Sequence, residues 1–233
     1  EVRKRSTNGK LTRTKEKQMT EQLELSLMPE YEINKKSYRA ILHDEVRQKQ
    51  KINSDEVHHP NGKMRQIERV LTGSNHSILE LFAGRGNLTN LYKKYGTVEA
   101  YDKTHLKTGD SYLQFHKLIA TRKTYTVIDV DPYGFPNRFF PDLFLLIKNG
   151  YLFLTFPKPY VNILNGITQT HLTAYFGRPN PTEKEVIEKI ATFGICHWRK
   201  VQLIDSVDLK SIWRFAFTVE RVKATEYTGV KNR

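Results

Sequence analysis

Short apolar runs punctuate the middle of this chain: Ile78-Leu79-Glu80-Leu81, Val98-Glu99-Ala100-Tyr101, Tyr125-Thr126-Val127-Ile128-Asp129-Val130 and Tyr151-Leu152-Phe153-Leu154. Runs of this length, bounded by glycine or polar residues, predict buried strands rather than helices. Between them the spacing lengthens to the helical period: from Leu88 through Tyr92, at Tyr112, Phe115, Leu118 and Ile119, and at Val186, Ile187 and Ile190. The last of these helices opens on a capping box, Thr182-Glu183-Lys184-Glu185, and is expected to run to Gly194. Strand patterns from His197 to Ser206 and from Trp213 to Val222 close the series as a hairpin. Strands alternating with helices predict a mostly parallel α/β sheet. Ahead of it, Tyr38, Ile41, Leu42 and Val46 space an amphipathic helix over Lys35 to Lys51, and a second helix is predicted from Met64 to Leu71, stopped by Gly73.

The first run ends in Phe82-Ala83-Gly84-Arg85-Gly86-Asn87, between a strand and a helix. Gly84 and Gly86 carry no Cβ, so backbone N–H groups and the helix N-terminus can approach a polar ligand closely. A dinucleotide site would place a third glycine where this chain has Thr89, and would not need the acid Glu80 inside the strand. The second run closes on Asp102. An acid about 20 positions beyond such a turn accepts hydrogen bonds from both hydroxyls of a ribose, and Asp102 is the predicted ribose ligand. Gly109-Asp110-Ser111 precedes the next helix, where Asp110 suits an N-cap equally well.

The third run opens into Asp131-Pro132-Tyr133-Gly134. Ligands of open α/β sheets lie beyond the carboxyl ends of the strands, which places Asp131 beside the glycine turn. An exocyclic base amine is a poor nucleophile because its lone pair is delocalised into the ring. Acceptors that draw on its N–H groups localise the pair, and the Asp131 carboxylate and Pro132 carbonyl can be those acceptors, held by the fixed φ of proline. Tyr133 can stack on the base, a contact worth roughly 1–3 kcal/mol. Read without chemistry, the segment is a β-turn with Pro at its second position and Gly at its end.

The segment Ile78 to Thr89 resembles the first motif of the Rossmann-like S-adenosylmethionine (SAM) methyltransferases. Ile128-Asp129-Val130-Asp131-Pro132-Tyr133-Gly134-Phe135-Pro136 is similar to the Asp-Pro-Phe/Tyr-Gly segment of the tRNA guanine-N2 dimethyltransferases. The resemblance covers Ile78 to Phe156 and implies a seven-stranded sheet with an antiparallel last strand, and after the Asp131 segment an apolar helix over Phe139 to Ile147, Gly150 and a strand from Tyr151 to Thr155. It implies that Glu80, Phe82, Ala83, Gly84, Gly86, Asn87, Asp102, Lys103, Asp110 and Ser111 hold SAM, with Glu80 near the methionine amino group and Asp110 at the adenine amine. It also implies that Asp131, Pro132, Tyr133 and Gly134 form the catalytic segment. This sequence departs from the family in lacking its long C-terminal domain and in ending the following strand with Thr155-Phe156-Pro157-Lys158-Pro159.

Charge narrows the partner. The 233 residues carry 38 Lys and Arg against 25 Asp and Glu, a formal net charge of +13. Such a balance points to a polyanion, with nucleic acid ahead of anionic membrane. RNA is favoured over DNA by the single proline after Asp131. Pro157 to Pro181 mixes Lys158, His171, Tyr175 and Arg178 with prolines and glycines. As a loop beside the site it suits base stacking and phosphate contact through Lys158, Tyr175 and Arg178, or is an ordinary surface connection.

No apolar run approaches the roughly 18 to 20 residues of a membrane span, and the single cysteine, Cys196, leaves no internal disulfide. A cytoplasmic location follows as the expectation, with Cys196 a small buried residue beside a strand. His58 and His59 are adjacent, but no Cys or further His stands at ligand spacing, so no metal is expected. Four segments are expected: a basic flexible arm over 1–17, a helical N-terminal extension over 18–73, a SAM-dependent methyltransferase domain over 74–222 and a short basic tail over 223–233. The alternatives are a DNA adenine-N6 or cytosine-N4 methyltransferase, a protein or small-molecule methyltransferase, and a non-catalytic nucleic-acid-binding subunit of the same fold.

Overall fold

The computed structural model of the chain describes residues 59–159 and 166–223. The chain divides into two compact units, Glu1–Lys51 and Ile52–Arg233, and every described residue belongs to the second. The basic arm, the helix expected over Lys35 to Lys51, His58 and the tail beyond residue 223 lie outside the described residues.

The described elements run α1 (Pro60–Val70), β1 (His76–Leu81), α2 (Asn87–Tyr92), β2 (Gly96–Tyr101), α3 (Ser111–Ala120) and β3 (Tyr125–Val130). A 3-10 turn (Pro136–Phe139) and the single-turn α4 (Phe140–Leu143) lead to β4 (Ile147–Pro157), α5 (Gly166–Phe176), α6 (Glu183–Cys196), β5 (Arg199–Leu209) and β6 (Ile212–Arg221). Six strands form one sheet in the order β2-β1-β3-β4-β6-β5. The first four are parallel, and β6 is antiparallel to both its neighbours. The chain leaves β1 for β2 on one side and reaches β3 on the other, so the order reverses between β1 and β3. That crevice is where such sheets bind ligands.

Both faces of the sheet are covered, which is why its central strands are apolar at nearly every position. On one face Ile78, Val127, Phe153 and Ala216 pack under Ile67 and Leu71 of the α1 region and Leu88, Leu91 and Tyr92 of α2. On the other, Leu79, Leu81, Ile128, Val130, Leu152, Leu154, Phe215 and Phe217 meet Phe115 and Leu118 of α3, Phe139, Phe140, and Val186 and Ile190 of α6. Ile67 and Leu71 bury against this sheet, so α1 packs on the same core as the strands.

Several expectations are corrected. The sheet has six strands among the described residues, not seven: nine residues, 102–110, join β2 directly to α3, and four, 121–124, join α3 to β3. A parallel crossover takes a dozen residues or more, so no further strand fits there. Helix α1 starts four residues earlier than expected because Pro60 sits at its first position, where its fixed φ suits a helix. The helix expected over Phe139 to Ile147 is only the 3-10 turn and α4. Ile147 already opens β4, and Gly150 lies inside that strand with φ +142°, where an added Cβ would stand 1.8 Å from the Thr126 carbonyl oxygen. The supposed loop over Pro157 to Pro181 contains α5. The capping box at Thr182 is present. Gly194 is a close contact with Val201 of β5 rather than a stop, so α6 runs on to Cys196, which is exposed rather than buried. Among the described residues no helix is long and apolar enough to cross a membrane.

Candidate active site

Beyond β1 the backbone makes a tight turn in which Phe82, Gly84 and Gly86 take φ of 65°, 55° and 82°. Phe82 is held in this conformation, unusual for a non-glycine residue, by a hydrogen bond from its N–H to Ser111 Oγ at 3.0 Å and by edge-on contact of its ring with Phe139. Ser111 Oγ in turn donates to the Tyr101 carbonyl at 3.0 Å. Ser111, expected to touch a cofactor, is thus buried with its hydroxyl committed to tying the turn to β2. Asp102, just after β2, docks on the same turn. Its Oδ2 accepts from Gly84 N–H at 3.2 Å, and its Oδ1 from Thr104 and His105 N–H at 2.8 and 2.6 Å. Asp110 caps α3 through Oδ1 alone, accepting from Tyr112 and Leu113 N–H. Ala83 is buried in the turn, while Asn87 and Lys103 are exposed.

On the α1 and α2 face, the core turns polar at the carboxyl ends of the strands. Glu80, Asp129, Asp131, Thr155 and Arg214 succeed the apolar residues there, and Lys63, Gln66, Thr89 and Tyr92 meet them from the helices. Asp129 is bound by Arg214 through two bonds and by the Tyr92 hydroxyl at 2.7 Å. Burial, and after it the charge of Asp129, pushes the Glu80 carboxyl up to about 8, although Thr89 donates to it at 2.6 Å. With Glu80 protonated at neutral pH, the layer balances two carboxylates against two cations, Arg214 and Lys63.

Asp131 is the most exposed of its acids, at 18% for the side chain. Lys63 Nζ donates to Oδ1 and Oδ2 at 2.7 and 2.6 Å. Burial alone would raise this carboxyl; the charges of Lys63 and Arg214, with hydrogen bonds from Lys63 and Thr155, outweigh it and hold the group below its usual range. The Asp131 N–H donates to the Leu81 carbonyl at 3.3 Å, which fastens this residue to the end of β1 where the glycine turn begins. Pro132 and the 61% exposed Tyr133 follow. The Tyr133 phenol is pushed up by partial burial and by the charges of Asp102 and Asp131, as fits a ring flanked by both acids. A Cβ built on Gly134 would meet nothing within 4 Å.

Sequence reasoning missed Lys63, Thr155 and Arg214. The available signal was Asp129 itself, a carboxylate in the middle of an apolar strand, which requires a cation somewhere. The expected phosphate contact Lys158 is corrected: it is buried, paired with Asp208 at 2.5 Å and lies over Trp213, so its charge is spent fastening β4 to the β5–β6 hairpin. Tyr175 is half-buried against Phe193. Arg178 is exposed at 52%, loosely paired with Glu185 at 3.6 Å. Among the described residues no group of three His, Cys, Asp or Glu side chains is placed to hold a metal ion. An open cavity of about 780 Å³ lies over the starts of α1 and α2, lined by His59, Asn61, Met64, Asn87, Asn90 and Lys210 among others.

No protein-family model matches the chain, and no curated protein matches it. Trm1 from Pyrococcus horikoshii, solved as a complex with S-adenosyl-L-methionine, is 14% identical with a TM-score of 0.49, over 73% of this chain and 56% of that one. A protein described as a hemolysin, from Streptococcus thermophilus, is 11% identical with a TM-score of 0.49, over 70% and 66%. The 1,6-didemethyltoxoflavin-N1-methyltransferase of Burkholderia thailandensis is 12% identical with a TM-score of 0.47, over 83% and 92%. The chain spans less than two thirds of the length of the first two.

Proposed function

We propose that this chain is a cytoplasmic SAM-dependent N-methyltransferase acting on an exocyclic base amine in nucleic acid, with RNA favoured and a guanine-N2-like target. The observation that carries this reading is Asp131: a carboxylate held ionised at the carboxyl end of the central strand β3, one backbone hydrogen bond from the strand that feeds the glycine turn. Pro132 and an exposed aromatic ring follow it.

The residues present fit the cofactor. A Cβ on Gly84 would meet no protein atom within 4 Å, so the face of the turn is open to a ligand. The Asp102 carboxylate accepts three backbone N–H bonds out of about four lone-pair sites, which leaves one, on Oδ2, for a single ribose hydroxyl rather than for both. Asp110 spends only Oδ1 on capping, which leaves Oδ2 for an adenine amine. Glu80 lies under the turn, and Phe82, Ala83, Gly86, Asn87 and Lys103 surround it. SAM, when bound, supplies a methyl group on a sulfonium, already a strong electrophile. The protein's part is then alignment: the Asp131 carboxylate and Pro132 carbonyl accept the amine N–H groups and localise the nitrogen lone pair, and Tyr133 stacks on the base. Because SAM is a strong electrophile, no dedicated strong base is required, and the amine proton is shed late, after the nitrogen has become positive.

Calorimetric titration with SAM tests the cofactor, and labelled methyl transfer to tRNA, ribosomal RNA and duplex DNA in parallel tests the substrate. No SAM binding would remove the enzyme reading. Transfer to duplex DNA alone would move the target to adenine-N6 or cytosine-N4.

A further inference from the structure

The proposed reaction has no use for Lys63, yet Lys63 occupies its centre. The side chain reaches in from α1, is 5% exposed, and covers both oxygens of Asp131. Those oxygens are the acceptors that a substrate amine needs. Methylation turns the amine nitrogen positive, and an ammonium bonded to the same carboxylate in a buried site opposes that charge. Lys63 must therefore leave Asp131 before transfer.

Its alternative site adjoins it. Gly62 and Met64, its two neighbours in the chain, both line the 780 Å³ cavity, a volume in the range of small-molecule pockets. Asn87, on another wall, directly follows Gly86 of the glycine turn. The lining offers the Lys210 ammonium, the His59 imidazole and the carboxamides of Asn61, Asn87 and Asn90, and none of its residues is acidic. Cationic and carboxamide donors suit a nucleotide, its phosphate and its base edge. A lysine is a compact charge on a flexible stem, able to change partners without moving its helix. Resting on the function proposed above, we propose that this cavity receives the phosphate of a nucleotide flanking the target base and that this phosphate draws Lys63 off Asp131, so that substrate entry unmasks the amine acceptor.

The test follows the Lys63 ammonium by NMR in protein carrying 15N-labelled lysine, with the resonance assigned by its loss in Lys63→Arg. A single-stranded RNA oligonucleotide should shift this resonance, and the matching nucleoside, which has no phosphate, should leave it in place. In parallel, Lys63→Met and the exposed-site variant Lys210→Ala should each weaken oligonucleotide binding about tenfold in fluorescence anisotropy while SAM affinity is kept. An unshifted Lys63 resonance at oligonucleotide saturation, unchanged affinity in Lys210→Ala, or no oligonucleotide binding at all would overturn the proposal. Methyl transfer measured on the same preparation separates the two readings. Transfer with Lys63 fixed on Asp131 sinks only this inference, whereas a Lys63 that moves in a protein without transfer sinks only the enzyme.

Discussion

Arg214 of β6 and Asp129 of β3 meet across the intervening strand β4 in a two-bond ion pair of 2.8 and 2.6 Å, with neither side chain exposed. Thr155 of β4, directly opposite Arg214 in the ladder, accepts from the same guanidinium at 2.9 Å, and the Phe153 ring lies 5.6 Å from it. Removing one partner strands a buried charge. Arg214→Met should therefore lower stability by about 3–5 kcal/mol, and the double variant Arg214→Met, Asp129→Leu by less than Arg214→Met alone. Urea unfolding of the three proteins checks this, and a double variant worse than the single would refute it.

Glu80 makes the fold pH-dependent. Its carboxyl stands at about 8 against an ordinary 4.5. Between these values the folded chain keeps a proton that the unfolded chain has released, so this contribution is complete below pH 4.5 and is lost as pH rises toward 8, at up to about 1.4 kcal/mol per unit. Glu80→Gln stays neutral throughout and keeps an acceptor for Thr89. Its stability relative to the parent should rise from pH 5 to about pH 8 and level off above that in denaturant titrations; parallel curves would show that Glu80 ionises normally.

Asp131→Ala should leave SAM affinity nearly unchanged and slow single-turnover methyl transfer by about 10²–10³, the usual loss for one preorganised electrostatic contact. Because that change also strands Lys63, the comparison is best made in Asp131→Ala, Lys63→Met, where the buried cation is gone. Tyr133→Ala should show the same pattern, weaker. Parental rates in these variants would reduce Asp131-Pro132-Tyr133-Gly134 to a turn.

Asp102→Ala should weaken SAM binding by roughly 1.5–3 kcal/mol in calorimetry, the range for hydrogen bonds to a charged group. It also frees the N–H groups of Gly84, Thr104 and His105, so thermal unfolding should show a parallel loss. An unaltered affinity in a folded variant would take Asp102 out of the site.

Salt dependence separates two cations that look alike in sequence. Arg178 is exposed and should contribute to the salt slope of RNA binding, so that Arg178→Ala flattens it by roughly 0.7, the value for one phosphate of a single strand. Lys158 is buried on Asp208, and Lys158→Ala should cost stability while leaving the slope alone. The opposite assignment would mean that the hairpin releases Lys158 on binding.

What was legible in the chain follows from how each residue is constrained. β1, β3 and β4 are buried on both faces and so read as apolar runs, and Asp102 and Asp131 stand at the ends of strands that their neighbours predict. The seventh strand had no run of its own; it came from the family likeness, and the short 102–110 connection leaves no space for it between β2 and α3. α5 was illegible because Gly166–Phe176 scatters Thr, Gln and His among its apolar residues without a stripe. Lys63 and Arg214 were illegible for a different reason. Their partners lie 68 and 85 residues away, and local pattern carries no information about a charge pair closed by the sheet itself.

The position of β6 has a bearing on how the protein is made. Among the described residues it is the last strand of the sheet to be synthesised, yet it lies inside the sheet, between β4 and β5. Until residues 212–221 leave the ribosome, β5 has no strand to pair with, β4 presents an open edge, and Asp129 lacks Arg214. The nascent chain therefore waits with its acidic layer unbalanced and locks in one late step. A nonsense change upstream of β6 should yield aggregation-prone product cleared by proteases, not a shortened folded protein.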